Sequence, residues 1–399
     1  MFSAFHQAEQ AGQQGLRLIL ALSLASLALY INLYVFQGML PAIGEQFSVL
    51  PSHASLLLSV GTLSMAISLL LVAVFSDKLG RRKPIMLSMG LLVLIDLCFL
   101  LANSFETLLL VRLLQGLTLA VLPATAMALF KEQLDSKQLL VAAAIYIAMN
   151  SLGGISGRLL GGLFSQYLSW SQGLRMLVAV TLALVLPAIY LLAKLPESFT
   201  KPVKGGFTCK ALAGFTLHLS EPSLRLTYVI GALAFMVMVN QYSFIQLHLM
   251  APPYELNRFE TTLIFLCYLT GTWVSFQSSK IIYRFGHKRL LPMGGVIMLL
   301  GTCVSGFSPI AMIVLGFMLS SLGFFLIHSV CNSYVVTTAS SHQAKATSLY
   351  LCSYYLGAAA GGPLLMPCWH AMGWLGVVLG SVAILFVLVL LSLRLTRLS

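Results

Sequence analysis

A chain of 399 residues, of which 59% are hydrophobic and only 9% charged, cannot build a water-soluble surface, because soluble domains carry about 25% charged residues. The net charge of +12 does not indicate a nucleic-acid partner, since the basic residues fall in alternate loops. The apolar residues form long blocks of about twenty, the length a helix needs to cross a lipid bilayer.

Cutting these blocks at charges, prolines and turn residues predicts an all-α membrane protein of twelve transmembrane helices. We call them spans 1 to 12, and they cover residues 17–42, 53–75, 85–102, 106–130, 139–164, 172–194, 226–250, 259–282, 290–307, 309–334, 343–366 and 372–393. The segment before span 1 is polar and lacks the basic start and cleavage site of a signal peptide. We therefore expect span 1 to remain in the mature protein.

The basic residues predict the orientation. Most of the 23 lysines and arginines lie in loops on the same side as the N-terminus, whereas Arg175 and Arg258 lie on the other side and Arg112 and Arg158 lie within spans. Because cytoplasmic loops collect positive charge, we expect both termini in the cytoplasm and the chain in a bacterial inner membrane.

The longest stretch between spans divides the helices six and six. The predicted units are a cytoplasmic tail (1–16), a first six-helix bundle (17–194), a cytoplasmic linker (195–225), a second bundle (226–393) and a short cytoplasmic tail (394–399). Within the linker, residues 209–219 are apolar enough for a short helix on the membrane surface, and a flexible linker fits equally well.

An internal repeat supports this division. Three groups of residues recur about 206 positions later in the same order. The matched sets are Asn32, Tyr34 and Phe36 with Asn240, Tyr242 and Phe244; the loop 77–83 with 283–289; and Tyr146, Gly153, Gly157 and Trp170 with Tyr350, Gly357, Gly361 and Trp374. Six spans per half give both halves the same topology, so we expect two bundles related by a pseudo-twofold axis along the membrane normal.

Three charged residues lie deep inside predicted spans, away from the ends. Asp96, Arg112 and Arg158 each lie about six residues, or roughly 9 Å, from the same end of spans 3, 4 and 5 and could share one layer. A charge in a span is costly unless it faces the bundle interior, although Arg112 could also extend to the membrane surface. Asp96 could neutralise an arginine through a structural salt bridge or act as a proton site.

Small and polar residues mark two further features. Gly153, Gly157, Gly161 and Gly162 give span 5 a smooth face that lets another helix approach closely. Amide, phenol and imidazole side chains in the inner spans predict a substrate cavity that is neutral to cationic, although any one of them could instead hold two helices together. The candidates are Asn32, Tyr34, Gln37, Tyr146, Asn150, Asn240, Tyr242, Gln246, His328 and Tyr354.

The chain resembles the major facilitator superfamily, and more narrowly its twelve-helix drug:proton antiporter group with YnfM-like and arabinose-efflux-permease-like members. The resemblance rests on Gly157–Leu159, Tyr268–Trp273, His328–Val330, Leu349–Gly357 and the loop around Gly80. It implies that this loop forms a cytoplasmic gating motif and that Arg112 contributes to proton coupling. The gating residues are Asp77, Gly80, Arg81 and Arg82, with Arg284 and Gly286 in the second copy.

The chain departs from the family pattern at three positions. Ala73 and Tyr283 replace a glycine and an acid of the two loop motifs, and Arg158 stands where a proline usually follows the second glycine of span 5. We therefore expect an asymmetric gate and an unusual positive charge in span 5.

These features predict a secondary active transporter, working as a monomer without a cofactor or metal, that exports a small molecule in exchange for protons. Sugars, organic anions and drugs are the expected substrate classes. A primary pump and an intramembrane enzyme are disfavoured, because the sequence contains no phosphate-binding loop and no nucleophile–base pair within the spans. A uniporter, a membrane sensor and an inactive transporter relic remain alternatives.

Overall fold

The computed structural model describes residues 2–196, 210–339, 341 and 343–398, and every regular element in that part of the chain is helical. Eight of its helical segments are long and apolar enough to cross a membrane. One of them, Gln343–Arg397, contains two spans that are separated by a turn at Gly373. Spans 3, 8 and 9 lie in the helices Arg82–Phe99, Arg258–Thr262 and Tyr268–Val304 outside these eight segments, and with them the described chain has the twelve predicted spans.

The helices of the first bundle follow the predicted spans, except that the helix of span 1 already begins at Phe2, within the predicted tail 1–16. Their bounds are Phe2–Gly38 with Leu40–Phe47 for span 1, Pro51–Ala54 with Leu56–Leu79 for span 2, Arg82–Phe99 for span 3, Phe105–Leu119 with Val121–Gln133 for span 4, Ser136–Tyr167 for span 5 and Trp170–Ala193 for span 6. Several begin at a residue that caps free backbone N–H groups. Ser104 accepts from the N–H of Thr107, and Asp135 accepts from that of Gln138.

The second bundle has the same helix order. Its helices are Pro222–Met250 for span 7; Arg258–Thr262, the 3-10 turn Leu263–Cys267 and Tyr268–Val304 for spans 8 and 9; Ile310–Thr338 for span 10; and Gln343–Leu398 for spans 11 and 12. Within the long elements, spans 8 and 9 separate at Gly286 and spans 11 and 12 at Gly373, where the backbone leaves the helical conformation.

Equivalent helices pack in equivalent ways in the two bundles. Span 1 packs along span 5 in the first bundle, and span 7 packs along span 11 in the second. The bundles meet where span 2 contacts span 11 and where span 5 contacts the start of span 8. Exchanging the halves converts one of these contacts into the other, as the expected pseudo-twofold relation requires.

Large apolar side chains are exposed on the outward faces of the peripheral spans 3, 6, 9 and 12. Leu94, Leu186, Leu300 and Phe386 are each more than half exposed. In water such surfaces would be unfavourable, whereas in a membrane they face hydrocarbon. The exposed apolar faces therefore agree with a multi-pass membrane protein.

The predicted linker is only partly described. Residues 197–209 lie outside the described part of the chain, and Lys210–Ser220 forms a short helix. Phe215 of this helix is buried, with the ammonium group of Lys345 of span 11 at 5.7 Å from its ring centre. Of the two alternatives for this segment, the structure shows the helix.

Two loops of the internal repeat share an unusual backbone conformation. Gly80 has φ 68° and ψ −177°, and Gly286 has φ 73° and ψ 157°. Residues with a side chain rarely adopt this combination, which is essentially restricted to glycine. The repeat seen in the sequence is thus also a repeat of backbone geometry.

We predict that Gly286→Ala lowers thermal stability through backbone strain. A Cβ at this position would meet no atom within 4 Å, so the strain of about 1–3 kcal/mol comes from the positive φ alone. The matched control is Gly90→Ala, because Gly90 has the same open surroundings in a regular helix. The melting temperature of the purified protein checks this, and equal values for both variants would contradict it.

Candidate functional site

Arg158 lies buried between the two bundles, with only 2% of its surface exposed. Its guanidinium carbon stands 3.7 Å from the ring centre of Tyr34 on span 1, and 5.0 and 4.8 Å from the ring centres of Phe265 and Tyr268 at the start of span 8. Aromatic ring faces attract cations. We call Tyr34, Phe265 and Tyr268 the aromatic cage.

The polar partners of Arg158 are neutral. Its Nε donates to the side-chain oxygen of Gln37 at 2.7 Å, and one terminal nitrogen donates to the carbonyl of Gly154 at 2.8 Å. No carboxylate among the described residues lies within ion-pair distance of this guanidinium. Arg158 is therefore a buried positive charge that aromatic rings and dipoles stabilise.

Gln37 connects this arginine to the second bundle. Its amide nitrogen donates to the carbonyl of Val239 at 2.7 Å and to the hydroxyl of Ser243 at 2.9 Å. In return, Gln246 donates to the backbone carbonyl of Gln37 at 3.1 Å. Spans 1, 5, 7 and 8 are thus joined around Arg158.

The glycine face of span 5 places Arg158 in this position. A Cβ at Gly153, Gly157 or Gly161 would collide with the backbone of span 1 next to Leu27, Ile31 or Val35. Gly162 faces Thr262 of span 8 in the same way. Because the glycines allow close approach on both sides, the side chain of Arg158 is held between spans 1 and 8.

Phe265 and Tyr268 are site residues that were not predicted from the sequence. Phe265 lies in the 3-10 turn Leu263–Cys267, and Tyr268 begins the helix that follows. Side chains three residues apart are eclipsed in 3-10 geometry, so both rings face Arg158. The spacing of two aromatics by three residues was the available signal, but it is also compatible with an ordinary helix.

On another face of span 1, Asp96 and Arg112 belong to one buried network. Asp96 accepts hydrogen bonds from Gln115 at 2.8 Å and from the hydroxyl of Thr181 at 2.7 Å. Thr181 in turn accepts from Asn32 at 2.9 Å. The network thereby connects spans 1, 3, 4 and 6.

Arg112 is fully buried and binds mainly to backbone carbonyls. It donates to those of Leu57 at 3.1 Å and Asn32 at 2.9 Å, and also to the carbonyl of Leu33 and the side chain of Gln115. The carbonyls belong to spans 1 and 2, so one side chain of span 4 holds both neighbouring helices. Extension of Arg112 to the membrane surface, the alternative left open by the sequence, does not occur.

The expected arrangement of the three charges needs one correction. Asp96 and Arg112 make no direct salt bridge, because the side chain of Gln115 lies between them and bonds to both. Arg158 does not join this network and lies instead on the face of span 1 that carries Tyr34 and Gln37. Span 1 thus separates one compensated charge pair from one uncompensated arginine.

The structure distributes the ten expected cavity residues among three locations. Tyr34, Gln37, Gln246 and, in the ring cluster behind the cage, Tyr242 lie at the bundle interface around Arg158. Asn32 and Asn240 hold helices together within their own bundles, through Thr181 of span 6 and the carbonyl of Ala358 of span 11. The remaining four, Tyr146, Asn150, His328 and Tyr354, lie nearer the end that carries the basic loops.

Three of those four are half-buried, which is unusual for polar residues in mid-span. Asn150 accepts a hydrogen bond from Ser26 of span 1. His328 bonds to the hydroxyl of Tyr350 at 2.9 Å, and Tyr354 stacks on Phe235 with 3.7 Å between ring centres. Tyr146 is buried, with its ring edge against Phe130. Polar and aromatic groups therefore continue from Arg158 toward that end.

The bundles are joined at the end opposite the basic loops, which we call the sealed end. Arg258, at the start of span 8, forms an ion pair with Glu45 and donates to the carbonyl of Ser165 at 2.9 Å. Ser52 and His370 make a second cross-bundle contact at 3.5 Å. Spans 1, 2, 5, 8 and 11 therefore meet at the sealed end.

The polar contacts that the structure describes for Arg81 and Arg82 of the gating motif lie within the first bundle. Arg81 pairs with Glu132 of span 4 at 2.6 Å, and Arg82 donates to the carbonyls of Ala193, Leu195 and Pro196 at the end of span 6. Arg82 therefore caps the C-terminal end of span 6, in addition to contributing positive charge to this loop. The side chain of Asp77 lies outside the described residues.

The second copy of the gating motif has different polar contacts from the first. Arg284 and Tyr283 are exposed, and the imidazole of His287 contacts the hydroxyl of Ser333 of span 10 at 2.9 Å. Partial burial holds the pKa of His287 below its usual range, so this contact is with a neutral imidazole at pH 7. The two copies share the glycine turn and differ in their polar contacts.

We predict that Arg112→Lys destabilises the first bundle although it keeps the charge. A lysine cannot reproduce the planar fork that reaches carbonyls of two helices, and each lost charged hydrogen bond costs about 1.5–3 kcal/mol. Arg175→Lys is the control, because Arg175 is exposed and bonds only to Ser171. The melting temperature should fall for Arg112→Lys alone; an equal effect of both changes would refute this role of the fork.

Comparisons with known proteins agree with this architecture. Residues 22–271 match the family model "Major Facilitator Superfamily". The chain is 34% identical over 389 residues to the inner membrane transport protein YnfM of Escherichia coli, covering 96% of this chain and 91% of YnfM. It is 29% identical over 296 residues to the chloramphenicol resistance protein CraA of Acinetobacter baumannii, covering 71% of this chain and 68% of CraA.

Among solved structures, a bacterial homolog of the human lysosomal transporter Spinster superposes with a TM-score of 0.75 at 17% identity. The alignment covers 96% of this chain and 97% of that one. At this identity the match shows the shared fold. The family model and the 34% identity to YnfM show more: the chain belongs to the major facilitator superfamily and is a multi-pass membrane transporter of a small molecule, not an enzyme.

Proposed function

We propose that this transporter exports a small molecule across the bacterial inner membrane in exchange for protons, by alternating access of the two bundles. The proposal is supported by the asymmetry of the interface. Arg258, Ser52 and His370 make contacts between the bundles at the sealed end, whereas the described contacts of Arg81, Arg82 and His287 lie within one bundle. Such an interface suits two rigid bundles that rock about a central site.

The distribution of positive charge supports the orientation. If the basic loops face the cytoplasm, both termini and the linker 195–225 are cytoplasmic, and the sealed end faces the periplasm. The structure would then represent a state closed to the outside, with the half-buried residues Asn150, His328 and Tyr354 along the route from the cytoplasm. The similarity to the chloramphenicol resistance protein CraA supports export as the direction of transport, as does the resemblance to drug:proton antiporters.

The network around Asp96 is the candidate for proton coupling. Both carboxylate oxygens of Asp96 accept a hydrogen bond: one from the amide of Gln115 and the other from the hydroxyl of Thr181. This arrangement stabilises an ionised carboxylate, and protonation would remove acceptors from both donors. Because the same network reaches span 1 through Asn32 and Arg112, a proton on Asp96 could shift the helix that separates it from the central site.

We predict that Asp96→Asn separates transport from proton movement. In inverted membrane vesicles energised by respiration, a pH-sensitive dye should report proton release when a substrate of the wild-type protein is added, and this signal should disappear in the variant. Exchange of labelled for unlabelled substrate should persist, since the amide preserves the shape of the carboxylate. Asp135→Asn is the control, because Asp135 is an exposed helix cap outside the spans.

The same assay distinguishes the alternatives. Exchange without proton release in the wild type would indicate a uniporter, and normal proton release by Asp96→Asn would assign the coupling to another residue. Absence of both signals for sugars, organic anions and cationic drugs, with the protein shown to be inserted, would favour a sensor or an inactive relic and contradict the proposal.

A further inference from the structure

The uncompensated charge of Arg158 identifies the substrate class. Burying an ionised group away from water is costly unless it is paired, and buried arginines usually face a carboxylate or phosphate. Here the described surroundings provide ring faces, one side-chain amide and one backbone carbonyl. The guanidinium has five N–H groups, and the two hydrogen bonds to Gln37 and Gly154 use only part of them.

Unpaired hydroxyls lie beside this charge. The hydroxyl oxygens of Tyr242 and Tyr268 are buried without a hydrogen-bond partner. The ring centres of these two residues are 4.6 Å apart, and the ring of Tyr268 is part of the aromatic cage. Buried polar groups are nearly always paired in folded proteins. The unpaired hydroxyl of Tyr268 in the cage, with that of Tyr242 behind it, around a cation without a described carboxylate therefore indicates that a missing acceptor belongs there.

We propose that this site binds an organic anion carrying a single carboxylate and an aromatic or other apolar body, with the carboxylate on Arg158. A carboxylate accepts two parallel N–H bonds from a guanidinium, and its remaining lone pairs can accept from the hydroxyl of Tyr268. One arginine balances one negative charge, so a phosphate or a dicarboxylate would bring a second charge without a partner among aromatic rings.

The surrounding rings fit the body of such a molecule. Tyr34 stacks with Tyr30 at 6.4 Å, and Phe235 with Tyr354 at 3.7 Å, on the side of the cage that leads to the basic loops. Ring faces favour flat or apolar groups. A cationic drug would instead place its charge beside Arg158, with no carboxylate among the described residues of the site to balance it.

This inference rests on the proposed transport function for its biological meaning, but binding can be measured separately. The probes are 3-phenylpropionate, 3-phenylpropionamide and 3-phenylpropylammonium, which share one skeleton and differ in charge, together with indole-3-acetate and its amide. Binding to the purified full-length protein in lipid nanodiscs is followed by calorimetric titration and by the melting temperature.

At least one carboxylate should bind ten times more tightly than its own amide, and the ammonium compound should bind most weakly. Arg158→Gln should remove the preference, Arg158→Lys should retain part of it, and Tyr268→Phe should weaken carboxylate binding about fivefold through loss of one hydrogen bond. Arg175→Gln is the matched control, since this exposed arginine of span 6 lies outside the site.

Equal binding of carboxylate and amide, persistence of the preference in Arg158→Gln, or no binding by any probe would overturn the inference. If Arg158→Gln does not fold, Arg158→Lys and Tyr268→Phe still test it. Carboxylate binding without any transport would leave the site in place and remove the proposed function. Transport of neutral or cationic compounds alone would support the proposed function and overturn the assignment of a carboxylate site.

Discussion

The arrangement of the interface depends on one constraint: the guanidinium of Arg158 is buried within span 5, and no carboxylate among the described residues lies within ion-pair distance of it. A charge in this position must be surrounded by rings and dipoles, and these come from spans 1, 5, 7 and 8. The glycine face of span 5 permits the required closeness, and Gln37 extends the contact to the second bundle. Because Arg158 belongs to one bundle and Phe265 and Tyr268 to the other, its environment changes when the bundles separate.

The buried charges of Arg112 and Asp96 are stabilised in a different way from that of Arg158. Arg112 is surrounded by backbone carbonyls of spans 1 and 2, and Asp96 lies one side chain away through Gln115. This arrangement satisfies the charge within the first bundle, whereas Arg158 relies on both bundles. We therefore propose different roles for the two arginines on different faces of span 1. Arg112 belongs to the network proposed to take up a proton, and Arg158 belongs to the proposed substrate site at the interface between the bundles.

Much of the fold could be predicted because hydropathy and loop charge reflect the membrane directly. The twelve spans and the related halves follow from these patterns, and Gly80 and Gly286 even share one backbone conformation. The side-chain partners could not be predicted in the same way. Placing Gln115 between Asp96 and Arg112 depends on helix rotation, and facing Phe265 toward Arg158 depends on a 3-10 turn that no local signal marks clearly. The order of the spans could be predicted from the sequence, whereas the direction in which each side chain points around its helix could not.

We propose that Arg158, through its contacts with Phe265 and Tyr268, ties the first bundle to span 8 and thereby helps to hold the sealed end closed. Ser171 and Phe307 are both exposed near that end, and spin labels can be attached there in a variant without native cysteines. Double electron–electron resonance then measures the distance between the two labels, which increases when the bundles separate at the sealed end. The wild-type protein should give one short distance, and Arg158→Gln should add a longer one, because cation–π contacts worth about 0.5–2 kcal/mol each are lost. Identical distance distributions for both proteins would contradict the claim.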